Sequence, residues 1–158
     1  MPSIADRLAQ LGISLPPVSK PVAAYVPAVI AGNIIYISGQ VPFVHENGER
    51  KLLATGPVPS KVSIERAQAA ARQCALNALA ALNDVLQGDL DRVERIARVG
   101  VFVCCDPGFT DQPKVANGAS ELLQQVFGES GRHARAAVGS ISLPLGASVE
   151  VEMTVLIR

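Results

Sequence analysis

Two side chains near the carboxyl end of the chain could act together on a small carboxylic acid. Arg135 lies among small and apolar residues, and Glu150 lies in a later segment that alternates valine with glutamate. A guanidinium group holds a planar carboxylate through two parallel hydrogen bonds. A glutamate that faces a cleft can orient or deprotonate a water molecule. The alternatives are an ion pair between Arg135 and a strand glutamate, and a solvated strand face for Glu150.

The two histidines offer less chemistry. His133 precedes Arg135 by two positions, so on a strand both side chains point to the same face. It either contacts a ligand there or is a hydrogen-bonded structural residue. His45 lies in a polar segment and is expected to be solvated. Because the histidines have no accompanying aspartate or cysteine array, and the three cysteines lack metal or redox spacing, no metal site is predicted.

Composition excludes several classes of protein. The 158 residues are 49% hydrophobic and 18% charged, and the formal net charge is zero, which suits one globular domain. Nucleic-acid binding needs clustered positive charge and stacking aromatics, and the sequence has neither. The first residues carry no targeting signal, and no apolar run approaches the length of a membrane span. We therefore expect a cytoplasmic protein with no nucleic-acid or membrane partner.

Apolar spacing and turn residues predict the elements that position these side chains. Their order is strand-strand-helix-strand-helix-strand-strand, so both helices can cover one face of a mixed sheet in an α+β domain spanning residues 1–158. The predicted elements are a short helix at 3–11 within an N-terminal arm (1–18), extended runs at 22–30 and 34–38, a long loop or loose hairpin at 42–60, helices at 63–88 and 111–127, and strands at 96–105, 133–141 and 148–157.

Two details of this arrangement bear on the site. Gly118 interrupts the second long helix, which indicates close packing or a break. If the last two strands pair as a hairpin, Arg135 lies opposite about Thr154, roughly 13 Å along the strand from Glu150. Water, substrate, strand twist or a second subunit must then close that gap.

The other face of the sheet is expected to be apolar, because the strand at 96–105 offers apolar residues on both sides. An uncovered apolar face favours association. We therefore predict an oligomer in which copies pack sheet to sheet around a closed symmetry axis.

Several sequence elements together resemble the RidA/YjgF family, also described as endoribonuclease L-PSP. The resemblance covers about residues 20–157. The matching elements are Tyr25, Ser38-Gly39-Gln40 followed by Val41-Pro42, Val101-Phe102-Val103, Arg135 with Leu143-Pro144, and Glu150. The N-terminal arm and the long 45–62 segment are similar to a longer subgroup of that family.

The resemblance implies a chorismate-mutase-like fold, a homotrimer and ligand clefts between subunits. It also implies hydrolysis of reactive 2-imino acids to 2-keto acids and ammonia without a metal or organic cofactor. By position, Arg135 binds the substrate carboxylate and Glu150 holds the attacking water. Tyr25 and Ser38 line the pocket, and Gly39 presents backbone groups to the ligand.

Two departures from the deaminase branch keep other functions open. Ala137 stands where that branch has a pocket cysteine, and Pro107 stands where it has an asparagine. A non-catalytic binder of small carboxylates is therefore an alternative to the deaminase. RNA cleavage, suggested by the older family name, is disfavoured by the charge and the scarcity of aromatics.

Overall fold

The computed structural model describes residues 2–21 and 23–158, which form one α+β layer structure. Short 3-10 turns join several of the longer elements. In chain order the helices and strands are α1 (Ile4–Gln10), β1 (Ala28–Ala31), β2 (Ile34–Gln40), β3 (Phe43–Glu46), β4 (Glu49–Leu52), α2 (Ile64–Val85), β5 (Val93–Cys104), α3 (Gln112–Phe127), β6 (Ala134–Ser140) and β7 (Val149–Ile157).

The main sheet has five strands in the order β1-β2-β7-β5-β6. Strands β5 and β6 are parallel, and the other pairs are antiparallel. The sheet is therefore mixed, as the sequence predicts. Strand β5 has a neighbouring strand on both sides, and its second half, from Val99 to Cys104, carries no charged side chain.

The interpretation of β6 and β7 as a hairpin is wrong. Strand β5 lies between them, and α3 supplies the crossover that a parallel β5–β6 pair requires. Arg135 is therefore paired with Val99, while Thr154 is paired with Arg98 on the other side of β5. The Leu143–Gly146 turn crosses the end of the central strand and is not a hairpin turn.

Helices α2 and α3 pack side by side on one face of the sheet. The Ser63 side chain caps α2 by accepting a hydrogen bond from the backbone N–H of Arg66. The face of α2 that meets the sheet consists mostly of alanines, which allow the helix axis to approach the strands closely. The buried alanines are Ala67, Ala70, Ala71, Ala75, Ala78, Ala80 and Ala81. The predicted helix-covered face is confirmed.

Gly118 marks the point where the two helices are closest, and α3 continues through it without a break. A Cβ at this position would overlap the backbone carbonyl oxygen of Gln68 on α2. The close-packing interpretation of this glycine is therefore correct.

We expect Gly118→Ala to lower the free energy of unfolding by about 1–3 kcal/mol, because the helices must separate to admit the methyl group. Alanine's helix propensity offsets about 1 kcal/mol of this cost. Thermal and urea unfolding measure the change. Glu121→Ala, an exposed change one turn away, is the control and should stay within about 0.5 kcal/mol of wild type. An unchanged or raised stability for Gly118→Ala would contradict the packing argument.

The strand expected at 22–30 is shorter in the structure. Strand β1 covers only Ala28–Ala31, residues 23–27 form bends and irregular backbone, and residue 22 lies outside the described residues. Pro27 has no backbone N–H for a strand ladder, so it precedes the strand. The segment predicted as a long loop or loose hairpin contains the hairpin β3–β4.

The sheet face opposite the helices is uncovered and carries exposed apolar side chains. Tyr36 and Val138 are each about half exposed on this face, at 50% and 46%. A monomer rarely leaves such a surface in water. None of the helices in the described part of the chain is both long and apolar enough to cross a membrane.

Candidate functional site

Three of the residues singled out in the sequence meet in one cleft at the open face of the sheet. Tyr25, Gly39 and Glu150 line it, together with Pro144 and Leu145 of the turn before β7. Strand β2 carries a bulge between Ile37 and Gln40, where the register to β7 shifts. Bulges re-aim side chains beside functional sites, and this one places Gly39 against Glu150.

Gly39 makes room for the glutamate. A Cβ at residue 39 would overlap Oε1 of Glu150. The backbone at Gly39 is not in the left-handed region, so the glycine serves close approach rather than a turn. The carboxylate of Glu150 therefore reaches its position only because residue 39 has no side chain.

The environment of Glu150 favours its neutral form. Burial raises the pKa of the Glu150 carboxyl above its ordinary value, and the negative charge of Glu152 on the same strand face adds to the rise. The side chain is half-buried in a cleft whose walls are Tyr25, Pro27 and Phe43. A carboxylate that is desolvated in this way is a stronger base than a solvated one.

Ser38 faces a neighbouring groove rather than this cleft, along with Arg98 and Glu152. Its hydroxyl donates a hydrogen bond of 2.7 Å to the carbonyl oxygen of Val26. That bond ties strand β2 to the segment that carries Tyr25. Ser38 therefore helps to position Tyr25. Its role as a residue of the pocket wall stays a prediction.

Arg135 lies elsewhere, at the β6 edge beneath α3. Its Nη1 donates to Asn117 Oδ1 at 2.9 Å and to Ser120 Oγ at 3.1 Å, and its Nη2 approaches the carbonyl oxygen of Pro113 at 3.4 Å. All three partners are neutral. No carboxylate lies within 4 Å of Arg135 in residues 2–21 and 23–158, so the predicted alternative of an ion pair with a strand glutamate is not formed.

His133 belongs to the same cluster. Its Nδ1 lies 2.6 Å from the carbonyl oxygen of Gly131, which can only accept, so Nδ1 carries the proton. Its Nε2 is then free to accept the Ser120 hydroxyl proton at 2.9 Å. Burial lowers the pKa of His133, and the positive charge of Arg135 lowers it further. The hydrogen bond to Gly131 raises this pKa but does not outweigh the other two effects. A neutral histidine thus orients Ser120, which in turn holds Arg135.

Arg135 and Glu150 lie on opposite faces of the sheet within one subunit. Arg135 is paired with Val99, which is fully buried under the helices, whereas Glu150 is paired with Phe102. Cross-strand partners share a face, and residues an odd number apart along β5 point to opposite sides. One subunit therefore does not bring the clamp and the base together.

Neither of the two departures from the deaminase pattern lines the Glu150 cleft. Ala137 packs partly buried against the core on the same face as Arg135, paired with Val101. Pro107 lines a separate groove beside Asp106 and Ser60. Neither adds a polar group to the Glu150 cleft.

Sequence reasoning missed Asn117 and Ser120, which hold the guanidinium of Arg135. A partial signal was present, because Ser120 is a polar residue on the buried face of α3 and Asn117 lies one turn before it. It also missed Ser19 and Lys20, which line the Glu150 cleft. No local pattern in the N-terminal arm indicates that contact, which depends on the path of the arm over the body.

Comparison with known proteins identifies the family to which this chain belongs. Residues 5–155 match the family described as YjgF/chorismate_mutase-like, putative endoribonuclease. The chain therefore belongs to this family and has its chorismate-mutase-like α+β fold.

Three relatives illustrate the range within the family. The chain is 45% identical to Protein TCP17 of Trypanosoma cruzi over 153 residues, which are 96% of this chain and 92% of the relative. It is 28% identical to a 2-iminobutanoate/2-iminopropanoate deaminase of Dermatophagoides farinae over 146 residues, covering 92% and 95%. The crystal structure of protein Atu1372 from Agrobacterium tumefaciens, described as of unknown function, superposes with a TM-score of 0.87 at 46% identity, covering 98% and 92%.

Proposed function

We propose that this protein hydrolyses reactive 2-imino acids to 2-keto acids and ammonia. The observation that carries the proposal is the half-buried Glu150, whose pKa is raised and whose position depends on Gly39, at the floor of a small apolar cleft. The named activity of the Dermatophagoides farinae relative lends support at the level of the family.

The chemistry needs one activated water. Glu150 accepts a proton from water as the water oxygen bonds to the imine carbon, and the carbon–nitrogen double bond becomes single. Glu150 returns this proton to the nitrogen, which gives a tetrahedral carbon bearing a hydroxyl and an amine. Glu150 then takes the hydroxyl proton and passes it to the same nitrogen, so the carbon–nitrogen bond breaks, the carbonyl forms and ammonia leaves. The imine carbon is already electrophilic, so positioning and one base suffice. No metal or organic cofactor takes part in this scheme.

Arg135 supplies the carboxylate clamp from a second copy of the chain. Its guanidinium carries a positive charge that its neutral partners Asn117 and Ser120 do not compensate. Because Arg135 and Glu150 lie on opposite faces of one sheet, a shared cleft requires two subunits. The exposed apolar face supports association of copies, and a homotrimer with three such clefts is the assembly we propose.

The direct test is ammonia and keto-acid release from 2-iminopropanoate, generated in the cuvette from alanine by an amino-acid oxidase. We expect the wild-type protein to accelerate hydrolysis over the spontaneous rate. Glu150→Gln should lose about 10²-fold or more of that acceleration, because a general base is removed with little change of shape. Glu152→Gln, on the same strand face, is the matched control and should retain activity. Equal rates for buffer, wild type and Glu150→Gln would overturn the proposal.

The pH dependence gives an independent prediction. The base acts when ionised, so kcat/KM should rise with pH through the raised pKa of Glu150. Glu152→Gln removes a charge that raises this pKa, so the acid limb should move to lower pH by a fraction of a unit. Glu150 stays buried in this variant, so its pKa falls only part of the way toward the ordinary value. Glu94→Gln, an exposed change on β5, should leave the profile in place; an unmoved limb in Glu152→Gln would contradict the assignment of Glu150.

A non-catalytic carboxylate-binding role is the second candidate. Ala137 and Pro107 leave the site without the polar groups that the deaminase branch carries at these positions. In that case 2-keto acids bind in calorimetry, Arg135→Ala abolishes the binding, and no imine turnover accompanies it.

A further inference from the structure

The Glu150 cleft is lined by a lysine that directly follows the N-terminal arm. Lys20 lines the cleft, together with its neighbour Ser19, on the same subunit as Glu150. The carboxylate clamp proposed above, Arg135, comes from a second subunit. The cleft therefore has a second positive group that the hydrolysis of a simple 2-imino acid does not need.

The arm is held in place by specific contacts at its beginning. Ser3 and Asp6 form a capping box at the start of α1, and Leu8 is buried against the body. Arg7 Nε donates to the carbonyl oxygen of Gln125 at 2.9 Å, and the backbone N–H of Ile4 donates to Asp91 at 2.8 Å. The arm is thus anchored to the body well before it reaches the cleft.

Between the anchor and the cleft the arm stays close to the body. Ile13 and Leu15 pack against the hydrophobic core, and Pro16 and Pro17 restrict the backbone that follows. Ser19 and Lys20 come directly after this restricted stretch. Their place in the cleft is therefore a consequence of how the arm packs against the body.

The Lys20 ammonium is available to a ligand. No carboxylate lies within 4 Å of Lys20 Nζ in the part of the chain that the structure describes, Glu150 included. The Lys20 ammonium and the Glu150 carboxylate are therefore not paired with each other, although both residues line the same cleft. Pro27, Val41 and Phe43 give the cleft apolar walls, and Lys20 lies at its solvent-exposed side.

Ser19 adds a second observation. Its Oγ is buried and has no hydrogen-bond partner among the described residues. A buried hydroxyl without a partner costs free energy, and such groups are rare unless something else satisfies them. Because Ser19 lines the cleft beside Lys20, a rotation of its side chain would bring this unpartnered hydroxyl to an anionic group held by Lys20.

We infer that Lys20 and Ser19 form a subsite for a second anionic group, so that the preferred substrates are 2-imino acids with a carboxylate on the side chain. This inference rests on the proposed function for the reacting end of the ligand. In the bound molecule the imine carbon lies at Glu150, and the side-chain carboxylate lies at Lys20.

The test compares two stable keto acids that have the same chain length. Isothermal titration calorimetry measures the binding of 2-oxoglutarate and of 2-oxopentanoate. The first ends in a carboxylate, and the second ends in a methyl group at the same position. We expect the wild-type protein to bind 2-oxoglutarate about tenfold more tightly, as a charge-assisted hydrogen bond allows. Lys20→Met should remove this preference while leaving the affinity for 2-oxopentanoate unchanged, and Lys20→Arg should keep most of it.

Lys114→Met is the matched control, because Lys114 lies on α3 with its ammonium paired to Asp111. It should leave both affinities unchanged. Equal binding of the two keto acids by wild type, equal weakening of both by Lys20→Met, or no binding of either overturns the subsite. Binding needs no turnover, so a preference without ammonia release supports the subsite while the deaminase proposal fails.

Discussion

Mixing two inactive variants, Arg135→Ala and Glu150→Gln, is expected to restore about one quarter of the wild-type deaminase activity. A shared cleft is intact when its arginine comes from a Glu150→Gln copy and its glutamate comes from an Arg135→Ala copy. With equal amounts and random assembly each condition holds half the time, so about one cleft in four is complete. The measurement is ammonia release after co-expression or refolding of the mixture.

The controls separate complementation from other effects. Arg135→Ala mixed with the double variant Arg135→Ala/Glu150→Gln contains no arginine clamp and should stay inactive. A mixture of preassembled Arg135→Ala oligomers and preassembled Glu150→Gln oligomers, kept under conditions that prevent subunit exchange, should also stay inactive. If the randomly assembled mixture shows no activity, the two residues do not share a cleft across subunits, and the opposite-face geometry then argues that they serve separate sites.

Gly39→Ala is expected to reduce kcat/KM by at least about tenfold while leaving stability within about 0.5 kcal/mol of wild type. The nearest atoms to the new methyl group all belong to the Glu150 side chain, which can swing away, so the fold tolerates it. The backbone at residue 39 has a conformation that alanine adopts without strain. Activity falls because the carboxylate is displaced from the cleft floor.

A double-mutant cycle tests this cause. If Gly39→Ala acts by moving Glu150, adding it to Glu150→Gln should cost little further activity, because the base is already gone. Thermal unfolding reports the stability of each variant. Independent, multiplied losses in the double variant would show that Gly39 acts through another contact, such as its own backbone groups.

The sequence alone predicted most of the local structure, because local structure depends on nearest-neighbour chemistry. Ser63 predicted where α2 begins, and the apolar spacing predicted which faces of α2 and α3 are buried. Gly118 indicated either close helix packing or a break, and the structure has close packing. The resemblance carried by Arg135, Glu150 and the Ser38-Gly39-Gln40 element led to the family that the comparison confirms.

Only the tertiary structure decided which strands are neighbours. Strands β6 and β7 follow one another in the chain, yet β5 separates them, because a parallel pair with a helical crossover buries the apolar central strand on both edges. Pairing of this kind depends on distant residues, and local patterns do not encode it. This topology places Arg135 under α3 and Glu150 on the open face.

The surroundings of each candidate residue were likewise decided by long-range packing. The residue type of Glu150 suggested a base, but its raised pKa comes from burial in a cleft that β2, the 144–145 turn and the N-terminal arm build together. Lys20 and Ser120 became relevant for the same reason. Sequence determined the chemical groups and their local elements; the fold decided which groups meet, because burial and proximity depend on residues far apart in the chain.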